Sequence, residues 1–244
     1  MEQDRNMGKY SRLFQTAAVA SLLSAITTAI LIYGPDAGAA TDFITRTELH
    51  DNPLYLYKRW VLFFHPQFAF VACIGVAFAL FRKAPVLVSI GLFYLAIWAI
   101  TEMTQQAFTI DALNQYWRPA YLTAGNPSDT SAYYALLKGF AGYSDSMYFV
   151  LLFGFGMGTL LFGLAFKSVG RGEIKRAETL LGVVLILIGV LSLTAFLGYY
   201  TSLTSITRVT DWIYANLYGV VQTGVRIALG AWLWYAASNV FNRD

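Results

Sequence analysis

Six apolar segments, each long enough to cross a lipid bilayer as a helix, dominate this chain of 244 residues. A bilayer core requires about 20 consecutive apolar residues in an α-helix. The segments therefore predict an all-α fold, a polytopic integral membrane bundle of six transmembrane helices that forms a single domain over residues 1–244. The predicted helices cover residues 13–33, 60–81, 85–106, 147–166, 179–200 and 213–237.

The distribution of Lys and Arg predicts the orientation of the bundle. Ten of these residues fall in the short loops and termini on one side, and six fall in the much longer loops on the other. Cytoplasmic loops carry the excess of positive charge. We therefore expect both termini in the cytoplasm, whereas a net charge of only +3 argues against a nucleic-acid partner.

The first apolar segment has an alternative interpretation as a cleaved secretory signal. A basic N-terminus, an apolar run and the small-residue sequence Ala37-Gly38-Ala39 form a possible cleavage pattern. The apolar run is longer than a usual signal core of 7–15 residues, which favours a membrane helix. Cleavage would leave five helices and an external N-terminus.

Two long outer loops, residues 34–59 and 107–146, are predicted to contain short interfacial helices. The first includes Asp42 at a plausible helix N-cap, and the second has a turn-rich sequence from Ala124 to Ser128. The first loop ends in an aromatic group of Tyr55, Tyr57 and Trp60, and the second is rich in Tyr and Trp, residues that favour the lipid headgroup level. They form either an aromatic belt or a lid or docking surface over the outer end of the bundle.

Glu102 and Arg226 place full charges within the apolar segments and are the strongest candidates for a site. Such charges usually pair, line a polar cavity or carry function. Opposite chain directions put their backbones at depths that differ by roughly 8 Å, which long side chains could bridge. Gln222 lies one turn before Arg226, while Gln105 and His65 enter the same half of the bundle. We therefore predict one polar cluster formed by these five residues.

Three roles remain open for this cluster. It is a buried ion pair that fixes helix register, a ligand pocket in which Arg226 holds an anionic or carbonyl group, or a proton pathway. No catalytic constellation or metal site is predicted, because His, Cys and Asp do not cluster in the sequence. Any cofactor is left unknown.

Part of the sequence resembles a known family. Tyr148–Lys167, the basic hairpin after it, Leu180–Val190 and the acidic Glu102 resemble a bacterial family of six-helix membrane proteins whose function is unknown. The resemblance covers about half of the chain. It implies the six-helix topology and a bacterial inner membrane, and it carries no activity.

Two classes of function are consistent with these features. The favoured class is a non-catalytic accessory or docking subunit that binds a partner membrane protein, a lipid or a second copy of itself. Its contact surfaces would be the aromatic outer loops and the glycine-rich face around Gly154, Gly156 and Gly158. The alternative is a carrier or membrane enzyme that acts on a small amphipathic molecule at Glu102 and Arg226. A cavity that reaches Arg226 would favour the alternative.

Overall fold

The fold is helical throughout the part of the chain that a computed structural model describes, residues 2–169 and 175–239, with side chains for residues 11–168 and 176–238. No strand occurs in these ranges. The side chains of Arg5, Lys9, Arg171, Lys175 and Arg243, on which the predicted orientation partly depends, lie outside them. The helices are α1 (Glu2–Tyr33), α2 (Phe43–Glu48), α3 (Pro53–Leu80), α4 (Pro85–Phe108), α5 (Arg118–Thr123), α6 (Pro127–Val169), α7 (Lys175–Tyr200), α8 (Thr204–Ile213) and α9 (Gly219–Asn239).

Six long helices pack side by side in a ring that follows their order along the chain. Helix α9 packs against α1, α1 against α3, α3 against α4, α4 against α6, and α6 against α7. Helices α7 and α9 close the ring only sparsely. The core between the helices is filled by Phe166, Leu80, Leu233, Val76 and Val88, which are almost fully buried. The bundle is therefore a ring with one loosely packed seam.

Five of the long helices are long and apolar enough to cross a membrane. They cover Ser11–Tyr33, Pro53–Leu80, Pro85–Thr123, Pro127–Ser168 and Arg176–Tyr200. The sixth predicted segment, residues 213–237, folds as a π-helical turn at Tyr214–Tyr218 followed by α9. Gln222 and Arg226 make α9 less apolar than the others, so length and composition alone do not identify it as a span.

The second long loop is helical, but it does not form two separate surface helices as predicted. Helix α4 continues through a π-helical segment, Thr109–Trp117, into α5, and α6 begins only four residues after α5 ends. Helix α6 has 43 residues and is about 65 Å long, whereas a bilayer core is about 30 Å thick. We call the projecting part, residues 109–146, the outer hairpin. Of the turn-rich sequence predicted from Ala124 to Ser128, residues 124–126 form the tip of the hairpin, and Pro127 begins α6.

The first long loop contains the predicted cap. Asp42 caps α2 by accepting a hydrogen bond from the Thr45 amide at 2.9 Å, and these contacts lower the pKa of its carboxyl. Lys58 near the start of α3 donates to Asp36 at 2.9 Å, which lowers the pKa of that aspartate. Asn52 caps α3. The loop is thus held against the bundle; its position at a membrane surface remains a prediction.

The glycine-rich face of α6 is used inside the chain. A Cβ atom at Gly158 would lie 2.5 Å from Leu95 of α4, and one at Gly156 would lie 2.9 Å from Leu193 of α7. Gly154 approaches the backbone of Tyr94 and Trp98. These glycines allow α6 to pack closely between α4 and α7. They are therefore not a surface for an outside partner.

Candidate functional site

A cavity of about 60 Å³ lies at the centre of the bundle and reaches Arg226. Six helices contribute to its wall: α1, α3, α4, α6, α7 and α9. Its lining is mostly apolar, and the polar side chains in it are Ser21, Ser24, Thr159, Gln222 and Arg226. This volume holds about two water molecules or a comparably small chemical group.

Arg226 is held by α1, which α9 contacts along much of its length. Its Nη1 donates a hydrogen bond to the Ser24 hydroxyl, and the Ser21 hydroxyl donates to the Arg226 carbonyl at 2.6 Å. The Arg226 Nε is buried without a hydrogen-bond partner. The guanidinium therefore has an N–H group at the cavity that lacks a hydrogen-bond acceptor. The acceptor that it does have is a neutral hydroxyl.

A ladder of polar side chains, each about one turn from the next, runs from the end of the π-helical turn onto one face of α9. Tyr218, Gln222 and Arg226 are spaced four residues apart, so they lie above one another. Gln222 is buried, and its Nε2 has no hydrogen-bond partner. Tyr218 interacts electrostatically with both Glu102 and Arg226. The ladder therefore leads from the cavity toward Glu102.

Glu102 lies near this ladder but does not touch Arg226 directly. It is half-buried on α4, with the Trp98 indole one turn away in hydrogen-bonding reach. No ion pair within 4.0 Å joins Glu102 and Arg226 among the described side chains, although their charges interact across the gap. The two charges are thus neighbours without a direct ion pair.

The two remaining predicted site residues, His65 and Gln105, point toward different helices. His65 is buried, its Nδ1 lies 2.8 Å from the Thr27 hydroxyl of α1, and its ring meets the edge of Trp98. Gln105 instead donates to the Ser144 hydroxyl of α6 at 2.6 Å and does not line the cavity. The structure therefore brings Gln222 and Arg226 to the central cavity, places His65 against Trp98 in the cavity wall, and directs Gln105 toward α6.

Sequence reasoning missed Tyr218, which lies one turn before Gln222, and several residues that line the cavity, among them Ser24, Trp98, Cys73 and Thr159. Ser24 and Trp98 contact the predicted site residues directly, but serine and tryptophan occur throughout the apolar segments and give no distinctive signal. The spacing of Tyr218, four residues before Gln222, is a signal that could have identified it.

A second space adjoins the cavity at the loose seam of the ring. This groove of about 540 Å³ lies between α7 and α9 and is almost wholly apolar, with Leu181 and Val184 on one side and Gly224 and Ala228 on the other. Val225 lines both the groove and the central cavity. The two spaces therefore share one lining side chain.

Among the described residues, no group of three His, Cys, Asp or Glu side chains lies close enough together to hold a metal ion. No protein-family model, curated protein or solved structure matches this chain. Any functional argument therefore depends on the geometry of the site itself.

Proposed function

We propose that this chain is an integral membrane protein that binds a small amphipathic molecule, with the ligand's anionic or carbonyl head at Arg226 and its apolar tail in the groove between α7 and α9. The observation that carries the proposal is a guanidinium at an internal cavity with a buried, unpartnered Nε. The proposed role is binding or carriage.

Arg226 supports this proposal because a desolvated cation without a direct counter-ion is costly in an apolar bundle. A ligand carboxylate or carbonyl oxygen at the cavity would accept hydrogen bonds from the guanidinium and from the Gln222 amide, whose Nε2 is also unpartnered. Charge-assisted hydrogen bonds of this kind are roughly twice as strong as neutral ones. The ligand oxygen would supply the hydrogen-bond acceptor that Arg226 Nε and Gln222 Nε2 lack within the protein.

The groove supports the amphipathic character of the ligand. The central cavity is too small for a whole lipid-like molecule, whereas the adjoining groove of about 540 Å³ has the apolar lining that an alkyl or isoprenoid tail requires. Sparse packing between α7 and α9 leaves a lateral route from the surrounding lipid. A molecule dissolved in the membrane could enter through this seam.

The proposal includes α9 as a sixth membrane crossing, with both termini on the cytoplasmic side of a bacterial inner membrane. Helix α9 is 21 residues long and packs along α1, which is itself long and apolar enough to span. Its polar residues Gln222 and Arg226 face the central cavity, so the bundle shields them from lipid. A helix of this length spans about 30 Å.

The groove can be tested by filling it. No atom lies within 4 Å of a Cβ built on Gly224, so Gly224→Leu adds a side chain to the groove without a backbone clash. We expect the purified protein in zwitterionic nanodiscs to bind radiolabelled dodecanoate saturably, and Gly224→Leu to weaken this binding about tenfold or more, as expected when a bound tail is displaced.

Gly142→Leu is the matched control, because Gly142 also has open space around it but lies on the outer hairpin. It should bind dodecanoate like the wild type. Equal binding by wild type and Gly224→Leu, or no saturable binding by either, would exclude the groove as the tail site.

Docking of a membrane partner is the second candidate, and the outer hairpin is the feature that favours it. The hairpin projects well beyond a bilayer core and exposes Tyr116, Tyr134 and Tyr143. If this is its role, purification in mild detergent should retain a partner or a second copy, and Tyr116→Ser with Tyr134→Ser should release it. Retention of the partner by the double variant would argue against docking at these tyrosines.

A further inference from the structure

A second cavity, unrelated to the one at Arg226, lies at the base of the outer hairpin and carries an excess of positive charge. It has a volume of about 490 Å³, within the size range of small-molecule sites. Four cationic side chains line it, Arg46, Arg59, Arg118 and Lys138, against one carboxylate, Asp145. They come from α2, α3, α5 and α6, so the fold assembles this charge from four elements.

Two of the arginines that line the cavity, Arg59 and Arg118, are held in place by neutral groups. Arg59 and Arg118 both lie over the ring of Tyr55, with their guanidinium carbons 4.6 Å and 5.2 Å from its centroid. Arg118 donates to Asn114 Oδ1 at 2.7 Å, and Arg59 donates to Gln106 Oε1 at 3.4 Å. Neither forms an ion pair among the described side chains.

A buried and a half-buried arginine that lack a counter-ion among the described side chains are unusual in a cluster that serves only stability. Arg118 is only 5% exposed, and the Nε of Arg59 is buried without any hydrogen-bond partner. Two guanidinium groups on one ring repel each other, and their attraction to the ring, of the order of 1–2 kcal/mol each, does not remove that repulsion. An anion bound in the cavity would accept hydrogen bonds from the unpartnered donors and would balance the excess of positive charge.

We propose that this cavity binds the phosphate group of an amphipathic phosphate ester. Arginine forks match phosphate oxygens bidentately, and a phosphate carries a charge of about −1.5 to −2 at neutral pH, which suits a site with three more cations than carboxylates. The apolar side chains of Leu113, Leu137 and Phe140 line the rest of the cavity and fit an organic body. The ester is either a soluble metabolite or the headgroup of an anionic lipid.

Two variants test the site, and a third is their control. Arg118→Gln removes the buried cation, and Lys138→Gln removes an exposed one whose ammonium lies over the rings of Phe43 and Tyr134. Arg208→Gln removes an exposed positive charge on α8 that does not line the cavity. Each protein is studied in nanodiscs of phosphatidylcholine by calorimetric titration with inorganic phosphate, and in mixed nanodiscs with phosphatidic acid by quantifying retained lipid.

If the source is soluble, inorganic phosphate binds the wild type and Arg208→Gln equally, and both cavity variants lose about tenfold or more in affinity, because each loses a charge-assisted hydrogen bond. If the source is a lipid, phosphatidic acid is enriched around the wild type and Arg208→Gln, and both cavity variants lose the enrichment. Should Arg118→Gln fail to fold, Lys138→Gln alone decides. Absence of both effects in the wild type, or equal losses in Arg208→Gln, overturns the proposal.

Discussion

At the scale of single residues, Arg226 makes too few polar contacts for a purely structural role to explain its burial. Its guanidinium bonds one hydroxyl, that of Ser24, keeps an unpartnered Nε and has no ion-pair partner among the described side chains. A buried charge that serves only stability normally has its donors satisfied. Binding sites, in contrast, commonly leave polar groups unpaired at the expense of stability.

This difference predicts opposite outcomes for two substitutions. Arg226→Met should leave the Tm in detergent unchanged or raise it, because it replaces a desolvated cation with an apolar side chain of similar length. Ser24→Ala should lower the stability by about 1 kcal/mol, since it deprives the charge of its hydrogen bond. Circular dichroism melts of both variants and the wild type measure these shifts. A drop in Tm for Arg226→Met as large as that for Ser24→Ala would identify Arg226 as structural.

Part of this site could be predicted from the sequence for a physical reason. A charge in an apolar segment is expensive, so Glu102 and Arg226 are conspicuous in the sequence, and helical spacing adds Gln222. The direction of Gln105 toward Ser144 depends on how α4 is rotated against α6, which the sequence does not specify. Ser24 and Trp98 are compatible with any apolar helix, so their roles emerge only from packing.

At the scale of helices, the close approach of α6 and α7 depends on small residues. A Cβ at Gly163 would lie 2.6 Å from the Ile186 backbone nitrogen and 2.8 Å from the Gly182 carbonyl oxygen. Both neighbours are backbone atoms, so they cannot move aside as a flexible side chain would. The sequence indicates close packing here through its glycines, but only the fold shows that the partner helices belong to the same chain.

Gly163→Ala should therefore destabilise the bundle by about 1–3 kcal/mol, the usual cost of overpacking. Gly142→Ala, at a helical position with open space, should be neutral or slightly stabilising because alanine favours the helix. Thermal melts in the same detergent compare the two variants. Equal Tm values for the two would show that α6 and α7 do not pack as closely as described.

Helix positions were more predictable than helix ends. Apolar segments predict where a chain can cross a bilayer, and five of the six predicted segments match helices that are long and apolar enough to do so. Helix α4 runs on past its predicted end because the chain stays helical through the π-helical segment Thr109–Trp117 into α5, where Pro119 lies in the first turn. Asn126 and Pro127 mark the turn, after which α6 begins well before its predicted start. These two extensions form the outer hairpin.

At the scale of the whole molecule, the alternating directions of neighbouring helices place the short turn between α3 and α4 at one end and the outer hairpin at the other. A sixth crossing by α9 would put the C-terminus on the same side of the membrane as the N-terminus. We expect a cysteine at Ser128, on the hairpin tip, to react with an impermeant maleimide from outside intact cells, in a Cys73→Ala background. A C-terminal tag should be reached by protease only after permeabilisation.

The control for this topology is a cysteine in place of Lys83, in the short turn between α3 and α4. It should be labelled only in permeabilised cells. Labelling of Ser128→Cys from the cytoplasmic side alone would reverse the orientation. Digestion of the C-terminal tag in intact cells would leave five crossings.

The central claim is that the ring of helices, with its loose seam, binds an amphiphile through Arg226. Its most direct test compares the affinity of the protein for an amphiphile that has a charged head with its affinity for one that does not. In zwitterionic nanodiscs, the wild type and the control Arg208→Met should bind dodecanoate about tenfold or more tightly than its methyl ester, because only the acid pairs with Arg226. Arg226→Met should bind the two equally. The same preference for the acid in Arg226→Met as in the wild type would contradict the account.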